Sequence, residues 1–139
     1  MSVEENKKSL YRCFDEVWNK RDFSVIPEVI SPDYAGGEVK GLDGFEQMVK
    51  NSLATTPDIH STIDEVIGEG DTLILRLTQT GHYTGKVANV EISNKEYTAT
   101  FFLTNRYKDG KCYESTAYVN PLPFAQQLGI PMPPEWGMG

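Results

Sequence analysis

Basic charge, cysteine and long apolar runs are what this sequence has least of. Its 139 residues carry 13 Lys and Arg against 20 Asp and Glu, a formal net charge of −7. No basic cluster is longer than the pair Lys7-Lys8. Such a surface has little with which to displace the counterions of a phosphate backbone, and no polybasic segment for anionic lipid. The sequence therefore predicts neither a nucleic-acid partner nor a membrane partner. No stretch approaches the roughly eighteen apolar residues of a membrane-spanning helix. The opening MSVEENKKSL is polar and acidic, unlike the basic start and apolar core of a secretory signal, so a cytoplasmic location is expected.

The two cysteines, Cys13 and Cys112, have no metal-like spacing. A reducing compartment keeps such thiols free, and both are expected to be small buried side chains. No glycine-rich phosphate loop, nucleophile elbow, HExxH or CxxC pattern occurs. Metal, nucleotide and covalent-serine chemistry are disfavoured, and no cofactor is expected.

With 39% hydrophobic and 24% charged residues, the chain has the make-up of one globular domain spanning 1–139. A chain of this size can bury a core without staples and still enclose a cavity. Ser2 with Glu5 forms a capping box. Leu10, Phe14, Val17 and Trp18 then recur at helical spacing, which predicts a helix over about 3–19. A short helix from Asp22 to Ile30, stopped by Ser31-Pro32, and a third from Gly41 to Thr55 follow.

From Asp58 the period falls to two, with Ile59, Ile63 and Ile67 as the expected inner row. Further strands are predicted at Thr72 to about Tyr83, Lys95–Tyr107 and 111–120, with a short one at 87–92 inside a connection. A helix over 121–128 closes the pattern. Three helices, a run of antiparallel strands and a short C-terminal helix make an α+β fold, a curved sheet wrapped with helices into a cone-shaped barrel around a pocket.

The last hairpin decides which side chains share a face. If Lys108-Asp109-Gly110 is the loop, Tyr107 faces Lys111; if the loop is Asp109-Gly110 alone, Tyr107 faces Cys112. The first register is preferred because it segregates an apolar row from a polar one. The apolar row holds Tyr97, Ala99, Phe101, Leu103, Tyr113, Ser115, Ala117 and Val119. The polar row holds Thr98, Thr100, Phe102, Thr104, Arg106, Cys112, Glu114, Thr116, Tyr118 and Asn120. Aromatic residues among polar ones suit a cavity wall as well as a solvated face, so Phe102, Thr104, Thr116 and Tyr118 are candidate substrate-binding residues. A histidine side chain ordinarily changes charge near neutrality, so His60 and His82 are candidate proton carriers.

Several stretches then resemble the SnoaL-like polyketide cyclases of the nuclear-transport-factor-2-like fold: FDEVWNKRDFSVIPEVISPDY, TTPDIHSTIDEVIGEGDTLILRLT, TGHYTG and KDGKCYESTAYVNPLPFAQQLG. The resemblance covers nearly the whole chain. It implies three helices in a cone wrapped by a curved sheet, and a homodimer through the outer sheet face, here expected to be the apolar row. It also implies cofactor-independent ring closure by aldol chemistry on a small apolar or polycyclic ligand. The family's acid–base aspartate falls on Asn120, whose amide exchanges no proton but can hydrogen-bond a carbonyl or enolate oxygen. The family's GTHxG reads Gly81-His82-Tyr83-Thr84-Gly85, which displaces the histidine by one position. A family tryptophan is replaced by Thr116, which would enlarge the cavity.

The leading expectation is a cyclase or isomerase with Glu114 as the acid–base carboxylate. Arg106 either orients an anionic oxygen or pairs with Glu114. Tyr34, Phe14, Trp18 and Tyr83 complete the expected wall, and Trp136 in the Pro-rich tail is a candidate cover for the mouth. The alternatives are a non-catalytic small-molecule binder, or a dehydratase or epoxide-opening enzyme of the same fold.

Overall fold

The computed structural model describes residues 2–131; the expectation for Trp136 lies outside them. Helix α1 spans Val3–Arg12 and continues through wider π turns over Cys13–Asn19. Ser2 caps it as the sequence predicts, accepting from the Glu5 amide. The π segment turns Cys13, Phe14 and Val17 into the core, and Trp18 packs against it. A 3-10 turn, Phe23–Val25, and α2, Ile26–Val29, stand in place of the single short helix expected. After strand β1 (Ile30–Gly36) and the short β2 (Val39–Lys40) comes α3, Gly41–Thr55.

The remaining strands are β3 (His60–Glu69), β4 (Thr72–Val87), β5 (Val90–Lys108) and β6 (Lys111–Val119), followed by α4 (Pro121–Leu128). They form one six-stranded sheet in the order β2-β1-β6-β5-β4-β3, antiparallel except where β1 runs parallel to β6. The helices pack on one face around a core of Leu10, Val17, Ile26, Val29, Val49, Leu73 and Leu75. This is the α+β cone expected.

Three strand details differ from the sequence reading. A bulge between Ile63 and Glu65 in β3 reverses the alternation, so Val66 turns inward and Ile67 is left 61% exposed. The connection over 84–96 is a continuation of β4 and β5. The two meet at Ala88-Asn89, whose φ of 49° and 64° is the left-handed pair that a two-residue hairpin turn needs.

The last hairpin has the third correction. Asp109 and Gly110, at φ 54° and 75°, form a two-residue turn, and Tyr107 pairs with Cys112. Beyond it Arg106 pairs with Glu114, so Tyr113 is an extra residue in β6. From Glu114 onward the two rows group as expected. Near the turn the bulge moves Cys112 to the side of Tyr107.

Two side-chain amides finish the sheet where no strand is available. Asn19 donates to the Ser61 carbonyl at 2.9 Å and accepts from its amide at 2.8 Å. Gln127 of α4 does the same for Thr98, at 2.9 and 2.7 Å. Residues 56–59, ahead of β3, are fastened to β4 as well. Asp58 accepts from the His82 amide at 2.8 Å and holds His82 Nδ1 at 2.6 Å. The buried Thr56 packs so closely on Gly81 that a Cβ there would run into its Cγ2.

Two outcomes follow. Gly81→Ala should destabilise the fold by about 1–3 kcal/mol, as overpacking does. In urea denaturation, the Gly81→Ala, Thr56→Ser double variant should lose less than the sum of the two single changes. The Asp58 carboxylate raises the His82 pKa through its hydrogen bond, and His82 in turn lowers that of Asp58. The histidine's contribution is present below its ordinary pKa of about 6.5 and fades as pH rises through the raised value. The aspartate's is present above about 4 and fades as pH falls through the lowered one. Asp58→Asn should return the His82 titration, followed by NMR, towards its ordinary value.

Candidate functional site

Between the concave sheet face and the helices lies a cavity of about 650 Å³. Its walls are largely apolar: Leu10, Phe14 and Trp18 from the first helix, Phe45 and Met48 from α3, and Leu77, Phe101 and Leu103 from the sheet. One side follows β6 past Glu114, where pairing with β1 ends at Ala35, so Thr116 and Ala117 border the cavity beside Gly36 and Gly37.

The polar groups collect at two places. Around Asn105, Ser115 donates its hydroxyl proton to Oδ1 at 2.8 Å, and Asn105 Nδ2 donates to the Tyr107 hydroxyl at 3.4 Å. Tyr34 borders the cavity beside them, and Cys112 Sγ lies 3.4 Å from the Ser115 hydroxyl. Asn105, Tyr107, Tyr34 and Cys112 are all at most 5% exposed. Towards the other end, the Tyr97 hydroxyl contacts Gln79 Oε1 at 3.0 Å and Thr56 Oγ1 at 3.3 Å. There a smaller cavity of about 270 Å³ adjoins the first, with Ser52, Gln79 and Phe101 bordering both. Tyr83, Tyr97 and Phe124 meet edge to face in its wall.

No group lining the larger cavity is charged near neutrality. Burial pushes the Tyr34 hydroxyl up to about 12 and raises Tyr107, Cys13 and Cys112 as well. No carboxylate and no histidine borders either cavity among the described residues. The site can therefore shape an apolar molecule and hydrogen-bond its oxygens, but its lining offers no group poised to take up or release a proton at pH 7.

The sequence-predicted residues divide accordingly. Phe14, Trp18, Tyr34 and Thr116 border the larger cavity and Tyr83 the smaller. Glu114 and Arg106 face each other across β5 and β6 on the outer side of the sheet, Nε to Oε1 at 3.3 Å and each about half exposed. Thr104 is on that outer side too, and so are Phe102 and Tyr118, 52% and 66% exposed. The face assignment is thus largely reversed: the apolar row bounds the cavity and the polar row faces outward, except that Cys112 is turned in by the bulge and Thr116 borders the cavity where β1 no longer covers β6. The physical reason is that the helices cover the concave face, so apolar side chains gain more there than on the convex one. Asn120 spends its Oδ1 on capping α4, accepting from the Leu122 amide at 3.0 Å. His60 is exposed at the start of β3, and His82 sits outside the cavity with Asp58.

Sequence reasoning missed Gln79, Asn105, Tyr107, Cys112 and Ser115 as lining residues. The signal was present: Asn105 and Ser115 interrupt an otherwise apolar inner row, where a polar side chain needs a partner or a ligand.

Curated proteins give no sequence match to this chain. Solved structures do resemble it in fold. TsrD from Streptomyces laurentii superposes with a TM-score of 0.83 at 19% identity, covering 93% of this chain and 98% of that one. A SnoaL-like polyketide cyclase from Agrobacterium tumefaciens gives 0.81 at 14% identity, with 93% and 100% covered. IdmH from Streptomyces antibioticus gives 0.77 at 19% identity, with 90% and 99% covered. The family model for SnoaL-like polyketide cyclases matches residues 8–128. By that match, and with the cone and its cavity in place, the chain belongs to the SnoaL-like polyketide cyclase family.

Proposed function

We propose that the protein is a cyclase or isomerase that folds a bulky, largely apolar, polyketide-like intermediate inside the cavity. In this reading it promotes ring closure or rearrangement by holding the reacting atoms together and hydrogen-bonding carbonyl oxygens, with no carboxylate of its own exchanging a proton. The observation that carries it is the lining: apolar walls around uncharged donors, of a size for a multi-ring molecule. Orientation alone can supply several kcal/mol of a ring-closing barrier, because it removes the entropy of bringing two parts of a chain together. Donors aimed at a developing oxyanion add to this.

The second reading, a non-catalytic small-molecule binder, is favoured by the same uncharged lining. Comparing extracts of a gene-deletion strain and its parent by high-resolution mass spectrometry separates the two. The expected outcome is one compound that accumulates and one of equal mass that disappears. A difference of one water would favour dehydration or hydrolysis, and no change would favour binding. Ala117→Trp, which fills the cavity border, should reproduce the deletion pattern. Glu114→Gln should leave the parent pattern intact, because that carboxylate is paired with Arg106 outside the cavity.

The same reading includes a homodimer through the outer sheet face, supported by exposed Ile67, Ile74, Phe102 and Tyr118 on that side. Phe102→Asp with Tyr118→Asp should convert a dimer to a monomer in sedimentation velocity.

A further inference from the structure

The polar groups in the cavity are separated along the sheet. Asn105 pairs with Leu73 across β4 and β5, and Gln79 lies six residues along β4 from Leu73. At about 3.3 Å per residue the two positions are separated by about 20 Å of strand, measured along the curve of the sheet. Leu77, Phe101 and Leu103 lie between them on the sheet, facing Phe14, Trp18 and Met48 across the cavity. Spread over that length, 650 Å³ is a slot and not a round chamber.

Hydrogen-bond accounting gives each end the same sense. Asn105 Oδ1 already accepts the Ser115 proton, and of its two N–H groups one is given to Tyr107 and the other is left to donate. Tyr107 accepts from Asn105, which leaves its own hydroxyl proton to donate. Ser115 spends its own proton on Asn105. At the other end Gln79 Oε1 accepts from Tyr97, and its NH₂ has no partner among the described residues. Both ends thus present donors, and the belt between them presents none. An ammonium or a carboxylate would be buried there without a counter-charge.

We infer that the ligand is an elongated neutral molecule with an acceptor oxygen near each end, one taken by Asn105 and Tyr107 and the other by Gln79, with an apolar segment between. The inference rests on the small-molecule reading of this cavity and narrows it to a class: chains or fused rings bearing a ketone, ester or lactone oxygen at both extremities. The two amides then fix which way round and how far in the molecule lies, so they set its register against the apolar walls.

The test uses the full chain with Nile red as a neutral apolar reporter. Competitors are straight-chain diketones of ten to eighteen carbons, carrying a carbonyl beside each terminal methyl, and mono-ketones of the same lengths. At one chain length the diketone should displace Nile red at least about tenfold more tightly than its mono-ketone, the worth of one added hydrogen bond in a dry site. Asn105→Leu and Gln79→Leu should each erase that gain. Gln79 is only partly buried, so its variant tests the idea even if Asn105→Leu fails to fold.

Equal affinity of diketones and mono-ketones at every length, with Nile red displaced by both, would overturn the two-ended reading and leave the small-molecule site standing. A gain that survives both substitutions would overturn the assignment of Asn105 and Gln79. Failure of Nile red and every ketone to bind would overturn the cavity reading itself.

Discussion

One extra residue in β6 governs the chemistry of the whole cavity. The Asp109-Gly110 turn brings Tyr107 opposite Cys112, and Tyr113 then shifts the pairing so that Arg106 meets Glu114. Without that bulge, residues 114, 116 and 118 would exchange faces with 115, 117 and 119, because a one-residue slip turns every side chain over. Glu114 would then point into an apolar chamber with no cation, a far worse position than its present ion pair at the surface. Ser115 would leave the side of Asn105, stranding a buried amide oxygen. The bulge therefore does more than bend the strand: it keeps the lining neutral and its polar network satisfied.

Neutrality is maintained in depth by desolvation. Tyr34, Tyr107, Cys13 and Cys112 all hold their protons more tightly than in water, because the charged form of each would be buried among apolar side chains. Such a network is a fixed set of donors across the physiological range. It can recognise oxygen, and in the proposed reading proton movement is left to the ligand itself or to water. This separates the chain from the route its family resemblance implies, in which an aspartate does the proton work; the matching position is Asn120, whose oxygen caps a helix.

Much of the architecture was legible in the residues. Ser2 and Glu5 marked the first helix, Gly41 and Thr55 bounded the third, and alternation found β4, β5 and β6, because each signal is local and has one dominant cause. What failed was parity and sidedness. Val66 beside Ile67 already broke the alternation of β3, yet only the pairing with β4 places the bulge. The Ala88-Asn89 turn lacks the glycine that usually announces a two-residue hairpin, so a long arm looked like a connection. For the site, the two rows of the last hairpin were largely separable from sequence. Which row lies inside depends on where the helices pack, a tertiary fact that strand periodicity does not carry.

Pairing between side-chain amides and backbone explains how the distant ends of the cavity are held. Asn19 secures the first helix to β3 and Gln127 secures α4 to β5, each by a reciprocal pair of hydrogen bonds that stands in for an absent strand. Gln79 is held by Tyr97, which also contacts Thr56, and the segment carrying Thr56 is tied to β4 through Asp58 and His82. The Asp58–His82 pair thus sits outside the cavity, His82 three residues along β4 from Gln79. Asn105, at the opposite end, is enclosed by groups that stay neutral. Among the described residues the Asp58–His82 pair couples a change of charge to the Gln79 end, so a response of the proposed ligand's binding to pH through this pair would act on the seating of Gln79.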